Sequence, residues 1–382
     1  MNIKKIPSLD KIITEKRSFY TFTDNEKDSF YKLKNELEYK YGIKPLSRDA
    51  IIKELISTIT HGDYKNYSIP KAGLYIIRTD IKNFFPSINK HVLYRKLTKS
   101  SLLSKQSLDT LKPMFFSSKV DGIPLGLPFS SALSEIYLEH FDEDLQSTIN
   151  PLYYFRYVDD IILINYIPHD GLDLNNEINK IIDVFKKHFL EPNLSKTEFI
   201  LYEPKTNDKY FSYLGYQFNF ENNQLRISIA SSKFKKVTDR IKNYCFLYRN
   251  SNKTKKDYWK LYYRLKNTLY GIRSYNKNKK IMNFGVGYTY KYVNDYEQIN
   301  EIIDVTQAQI LTCNLKNKER KLLINLVKPS SQENSLLKKR YDYTKLTPNQ
   351  MNKIKMNLNI TKNTTELKDI FSVIYKNIHK FK

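Results

Sequence analysis

The stretch YFRYVDDIILI, residues 155–165, sets Asp159 and Asp160 side by side among aromatic and aliphatic residues suited to burial, and a third carboxylate, Asp80, closes the apolar run GLYIIRTDI. Carboxylates gathered at strand ends repel one another unless protons or cations neutralise them. Their hard oxygens suit Mg²⁺, which keeps much of its hydration and takes one or two carboxylates plus substrate phosphates. Two such ions about 3.5–4 Å apart activate an attacking oxygen and stabilise a leaving one, as in polymerases and nucleases, so phosphoryl transfer is the leading class of chemistry. An Asp pair by itself is also an ordinary turn former, and only the company of Asp80 adds weight to the catalytic reading. No P-loop, Ser/His/Asp order or His/Cys metal cluster competes with it.

The elements that must hold these carboxylates follow from periodicity. GLYIIRTDI predicts a buried strand that ends at Asp80, and YYFRYV and IILINYI predict a tight hairpin with the two aspartates at its turn. SLDKIITEKR reads as a short amphipathic helix, DNEKDSFYKLKNELEYKYG as a longer one stopped at Gly42, and SRDAIIKELISTIT as a third with Ser47 as its N-cap. Residues 88–111, SSALSEIYLEHFDEDL and LDLNNEINKIIDVFKKHFL continue the helical pattern, interrupted by DGIPLGLPFS, whose glycines and prolines enforce a loop. TEFILYE and YFSYLGYQFNF return to strand. The expected class is α+β, with helices packed on one face of the sheet. Past about residue 228 strands are expected to give out in favour of basic, aromatic helices, with exposed connections near residues 250–256 and 328–348.

Length and charge bound the rest. At 382 residues the chain has room for about two or three domains or subdomains. Lys and Arg number 64 against 40 Asp and Glu, a formal charge of +24 that favours a polyanionic partner, most simply nucleic acid. A membrane surface would also attract that charge, and AT-rich coding alone would enrich Lys, Asn, Ile, Tyr and Phe. Cys245 and Cys313 are isolated and lack metal-ligand spacing, which argues against a disulfide framework or zinc site and makes two ordinary thiols in a reducing compartment the default expectation. The N-terminal residues carry no apolar core with a cleavage site, and no run approaches the roughly 18 apolar residues of a membrane span, so a soluble, cytoplasmic protein without a membrane partner is expected.

Residues 73–219 resemble, block by block and in order, the palm of reverse transcriptases. RTDIKNFFPSI is similar to the first catalytic block, DGIPLGLPFSSALSEIYLEHFD to the second, FRYVDDIILI to the aromatic-x-Asp-Asp hairpin, EPNLSKTEFI to the fourth, and FSYLGYQF to the primer-grip block. The second block looks most like bacterial reverse transcriptases of the abortive-infection and anti-phage defence type, with retron and group II intron enzymes as more distant relatives. The resemblance implies a right-hand polymerase: mostly helical fingers at 1–72, a palm with an antiparallel sheet at 73–227, a helical thumb at 228–290 and a basic helical extension at 291–382.

It also implies roles. Asp80, Asp159 and Asp160 would hold two Mg²⁺ ions, with Mn²⁺ as a substitute and the Ile81 carbonyl as a further ligand. Phe85 would be the steric gate against a ribose 2′-hydroxyl, and Leu125 and Gly126 would approach the nucleotide, although Leu125 stands where many relatives carry Gln. Lys196 would neutralise triphosphate charge or protonate pyrophosphate, while Leu214, Gly215 and Tyr216 would grip the primer. Lys16, Arg17 and Arg48 are candidates for the triphosphate contact, because no Gly-rich basic hairpin is recognisable in the fingers.

The implied partners are an RNA template, by family a dedicated noncoding RNA copied in phage defence, deoxynucleotide triphosphates and a DNA product; a homo-oligomer or a partner protein stays open. Two competing readings are a template-independent or protein-primed DNA polymerase using one of 31 tyrosines, and a catalytically silent binder, against which the three aspartates argue. The Lys, Arg, Tyr and Trp259 mixture at residues 233–275 suits a duplex backbone. Duplex affinity should therefore fall steeply between low and high salt, and equal affinity at both would exclude phosphate tracking by this stretch.

Overall fold

The computed structural model describes the chain except residues 1–10, 14–17, 45, 118–119, 205–208, 277–278, 329–335, 362–365, 377 and 379–382. It divides into two compact units at Lys209 and Tyr210. The division falls inside the stretch 73–227 expected as palm.

The first unit begins with a hairpin of β1 (Lys11–Ile13) and β2 (Ser18–Tyr20). Over its described residues, Lys11–Ile13, the segment SLDKIITEKR is strand where a helix is expected: Ile12 and Ile13 are β-branched, and pairing with SFY outweighs a weak helical period. Two helices follow, α1 (Asp24–Lys40) and α2 (Arg48–Thr60). Gly42 adopts φ 62° just past α1, and the Ser47 hydroxyl accepts from the Ala50 N–H at 3.1 Å, the stop and the cap that their residue types suggest.

β3 (Leu74–Asp80) leads into the short α3 (Phe84–Ser87), then α4 (Lys90–Ser100), α5 (Lys105–Phe115) and α6 (Ser130–Ile149). The hairpin of β4 (Tyr153–Tyr157) and β5 (Asp160–Tyr166), α7 (Leu174–Lys187) and β6 (Glu198–Tyr202) complete the unit. The sheet order is β4-β5-β3-β6, antiparallel throughout. Alternation along the central strands turns Tyr75 and Ile77 of β3 and Ile161 and Leu163 of β5 into one core with Leu133, Phe141 and Phe185 of the helices. That core fixes the register on which the aspartates depend, because a slip of one residue would send each side chain to the other face.

One buried charge holds the β4–β5 hairpin to α6. Arg156, in β4, keeps only 8% of its side chain exposed and pairs with Glu135 and Asp142 of α6, each at 2.7 Å from one guanidinium nitrogen. Its Nη1 donates to the carbonyl of Val158, in the hairpin turn, at 2.9 Å, and the Tyr154 hydroxyl donates to Asp142 as well. Burial works against the guanidinium charge, but its hydrogen bonds to Asp142 and Glu135 outweigh it and hold Arg156 protonated.

The second unit opens with the sheet β7 (Lys209–Tyr213), β8 (Tyr216–Glu221) and β9 (Gln224–Ile229), with β8 in the middle. Then come α8 (Ser231–Arg249), α9 (Lys255–Leu269), β10 (Gly271–Tyr275), β11 (Ile281–Phe284), α10 (Val286–Thr289), α11 (Tyr296–Leu311), α12 (Asn317–Val327), β12 (Arg340–Asp342), α13 (Pro348–Asn357) and α14 (Leu367–Tyr375).

The expectation that strands largely give out past residue 228 is corrected by one small sheet among the helices. β10 pairs antiparallel with β11 and parallel with β12, whose partner residues lie about seventy positions apart, so no local pattern announces the sheet. Its core gathers Ile272 with Tyr263, Tyr343, Ile354 and Ile370. Arg264 of α9 donates from Nε to the carbonyl of Ile374 at 2.6 Å and from Nη2 to that of Lys376 at 3.0 Å, satisfying the orphan carbonyls at the end of α14.

Replacing Arg156 with Ala should cost about 3 kcal/mol, because two half-buried carboxylates lose their partner. Chemical denaturation measures this, and a loss under roughly 1 kcal/mol would show that the network does not hold the hairpin.

Candidate active site

Asp80, the last residue of β3, lies directly opposite Asp160, the first residue of β5. Side chains so placed on antiparallel strands have Cβ atoms about 4.5–5.5 Å apart, a spacing at which like charges destabilise the sheet. Asp159 sits in the two-residue turn before β5, and its carbonyl accepts from the Ile81 N–H at 3.1 Å, so the turn is stitched to the chain just beyond Asp80. The other turn residue, Val158, adopts φ 61°. Positive φ at the first loop position is what a type II′ hairpin needs, and a β-branched side chain pays steric strain to provide it.

Two cations answer the carboxylates. Lys196, in the short 3-10 turn Leu194–Lys196, donates from Nζ to Asp80 Oδ2 at 2.7 Å. Arg78, two residues before Asp80 on the same face, approaches Asp160 Oδ1 at 3.3 Å and Glu198 at 3.5 Å. Burial raises the Asp160 carboxyl above its ordinary range, Arg78 pulls it back, and the charges of Asp159 and Asp80 push it up again; the net direction is upward.

Asp80 Oδ1 is buried and has no hydrogen-bond partner. A buried acceptor left unsatisfied costs about 1–3 kcal/mol, which is tolerable where a ligand completes it. Among the described residues no group of three or more His, Cys, Asp or Glu side chains closes into a metal cage. Opposed carboxylates with one orphaned oxygen fit a hard divalent cation that takes its remaining ligands from water and phosphate.

The loop of DGIPLGLPFS is clamped at two points beside this centre. The Ile123 N–H donates to the carbonyl of Phe85 at 2.8 Å, and the Tyr20 N–H at the end of the N-terminal hairpin donates to the carbonyl of Leu125 at 2.7 Å. Both clamps explain a glycine. A Cβ on Gly122 would stand 2.1 Å from the Phe85 carbonyl oxygen, and one on Gly126 would stand 2.6 Å from that of Tyr20, with φ of 53° and 99°. The close neighbour of Gly126 is thus the chain's own hairpin. Phe85 is half-buried, its ring 5.1 Å from that of the buried Phe84.

The expected residues do not all converge. Asp80, Ile81, Asp159, Asp160 and Lys196 share one end of the sheet, while Leu125 and Gly126 lie in the clamped loop that docks on the backbone of Phe85 in α3. Arg48 begins α2 and instead lines a cavity of about 600 Å³ with Ser131, Glu135, Tyr157 and Val158, beside the hairpin turn. Lys16 and Arg17 lie outside the described residues. Leu214 and Gly215, with φ of 47° and 84°, form the turn between β7 and β8 in the second unit. Tyr216 beside them is buried there, its hydroxyl donating to the carbonyl of Thr289 at 2.8 Å.

Four residues escaped the sequence reading. Arg78 and Arg156 carried a visible signal, a lone arginine inside an apolar strand that needs a carboxylate nearby. Gly122 stood in a DG step, and Tyr20 carried no local mark.

Residues 32–218 match the family described as reverse transcriptase (RNA-dependent DNA polymerase). Among curated proteins, the retron Ec83 reverse transcriptase of Escherichia coli is 28% identical over 140 residues, covering 31% of this chain and 44% of that relative's length. Among solved structures, telomerase from Candida albicans in complex with a fragment of telomeric RNA aligns at 15% identity with a TM-score of 0.36, over 78% of this chain and 53% of that one. Apo telomerase from Candida tropicalis, truncated from its C-terminal domain, aligns at 15% identity and a TM-score of 0.37, over 53% and 44%. The family match falls on the stretch that brings Asp80, Asp159 and Asp160 together, and it is over residues 32–218 that this chain is similar to reverse transcriptases.

Proposed function

We propose that the chain is an RNA-directed DNA polymerase, extending a primer 3′-hydroxyl with deoxynucleotides. The observation that carries this reading is the register that opposes Asp80 and Asp160 with Asp159 in the adjoining turn, inside a stretch that matches reverse transcriptases. Asp80, Asp159 and Asp160 would hold the divalent cations, with the Ile81 carbonyl as a further donor. Two Mg²⁺ ions, or Mn²⁺ in their place, would supply Lewis acidity to the attacking hydroxyl and the departing pyrophosphate when bound.

The side chains do the rest. Arg78 offsets the charge of Asp160 without occupying Asp80, so the site carries part of its neutralisation before any nucleotide enters. Lys196 is two-thirds exposed and reaches the site on a mobile stem, which suits an ammonium that leaves Asp80 for triphosphate charge and gives a proton to pyrophosphate. The Phe85 ring, braced by Phe84 and by the loop docked on its backbone, excludes a ribose 2′-hydroxyl. The template is a dedicated noncoding RNA and the purpose phage restriction, a reading supported by the wording of the second block and by the retron relative. Among the described residues no helix is long and apolar enough to cross a membrane.

Purified protein with its co-expressed RNA, Mg²⁺ and labelled deoxynucleotides should yield DNA complementary to that RNA. Asp159→Ala and Asp160→Ala should each lower synthesis by on the order of 10²-fold or more while RNA binding persists. Wild-type rates in either variant would sink the site. Phe85→Ala should raise ribonucleotide incorporation about tenfold or more relative to deoxynucleotide; unchanged sugar discrimination would remove the gate.

A further inference from the structure

Cys245, in α8, and Cys313, two residues past the end of α11, are the two cysteines of the sequence, and nothing in their spacing relates them. The fold sets them together. Both are free thiols with no exposed surface. Cys313 Sγ donates to the carbonyl of Gln309 at 3.3 Å and approaches that of Cys245 at 3.9 Å, so it lies against the backbone that carries the other thiol. Each thiol is the largest influence on the other, holding Cys313 below the usual thiol range and lifting Cys245 above it. Arg249, one helical turn beyond Cys245, adds positive charge beside Cys313 and is anchored by a 2.6 Å hydrogen bond to the Thr312 hydroxyl. A reactive thiol combines an electropositive neighbour with access to solvent, and Arg249 supplies the first of these to Cys313.

We propose that Cys245 and Cys313 form a redox pair that hydrogen peroxide closes into an intramolecular disulfide, with Cys313 as the attacking sulfur and Cys245 as the resolving one. The Cys313 thiolate displaces hydroxide from peroxide to give a sulfenic acid, and hydroxide takes up the thiol proton as water. Cys245 sulfur then attacks the sulfenic sulfur, expelling a second water and forming the S–S bond. Each sulfur is oxidised by one electron and peroxide is reduced by two.

Access comes through the junction between α11 and α12, where Thr312 and Asn314 on either side of Cys313 are exposed; such junctions open at lower cost than helix interiors. The bond would tie α8 to that junction, closing a long loop in the unfolded chain and raising resistance to unfolding.

The test uses the full chain. After peroxide treatment, denaturation and alkylation, the two modifiable thiols should fall to none, the monomer should lose the mass of two hydrogens, and dithiothreitol should restore both. In Cys245→Ser, a sulfenic-acid trap should label Cys313, and in Cys313→Ser it should leave Cys245 unlabelled. Two thiols still alkylated after peroxide, disulfide-linked dimers in place of the closed monomer, or a mass gain of added oxygen would overturn the proposal. The wild-type measurements decide it even where a serine variant does not fold.

Discussion

Two carboxylates placed across from each other at the end of an antiparallel strand pair are a standing electrostatic conflict, and much of the first unit is arranged around it. Asp80 and Asp160 cannot move apart without breaking the β3–β5 register, which the alternating core of Tyr75, Ile77, Ile161 and Leu163 enforces. Relief comes from side chains that arrive from two directions, Arg78 along β3 and Lys196 from the turn before β6. Neither relieves it fully: Asp160 remains shifted upward and one oxygen of Asp80 has no partner. Under the proposed function, a divalent cation and the phosphates that accompany it would supply the missing charge and ligands.

The same logic of tying rather than filling runs through the supports. Arg156 spends its charge on α6 and one hydrogen bond on the carbonyl of Val158, so the strained turn that carries Asp159 is held from behind by a buried ion network. A buried ion pair is weak evidence for stability but a good device for uniqueness of position, since its geometry is directional where packing is not. On the other side of the centre, Gly122 and Gly126 let backbone meet backbone, which places the loop against Phe85 and Tyr20 without an intervening side chain.

How far the sequence disclosed this depends on whether each feature is local. The strand ending at Asp80, the hairpin around Asp159, the Ser47 cap and the stop at Gly42 all follow from residues within a few positions of one another. The N-terminal hairpin was misread as helix because three-residue strands leave almost no periodic signature, and the sheet of β10, β11 and β12 was missed because its pairing is non-local. Arg156 was in plain view within FRYVDD, yet its meaning required Glu135 and Asp142, which a helix brings from the preceding segment. The two cysteines looked unrelated for the same reason.

What the sequence by itself determined is the chemistry available: three aspartates at strand ends, a basic chain suited to polyanions, and motifs in an order that resembles a polymerase palm. Residue type and short-range spacing suffice for that, because ligand hardness, charge and turn propensity are properties of side chains and their near neighbours. Tertiary structure alone decided which charges meet. Register set Asp80 against Asp160, packing of α6 brought two acids to Arg156, and loop closure sealed Tyr20 over Gly126. Such contacts join residues tens of positions apart, and their energies exist only once the chain has closed on itself.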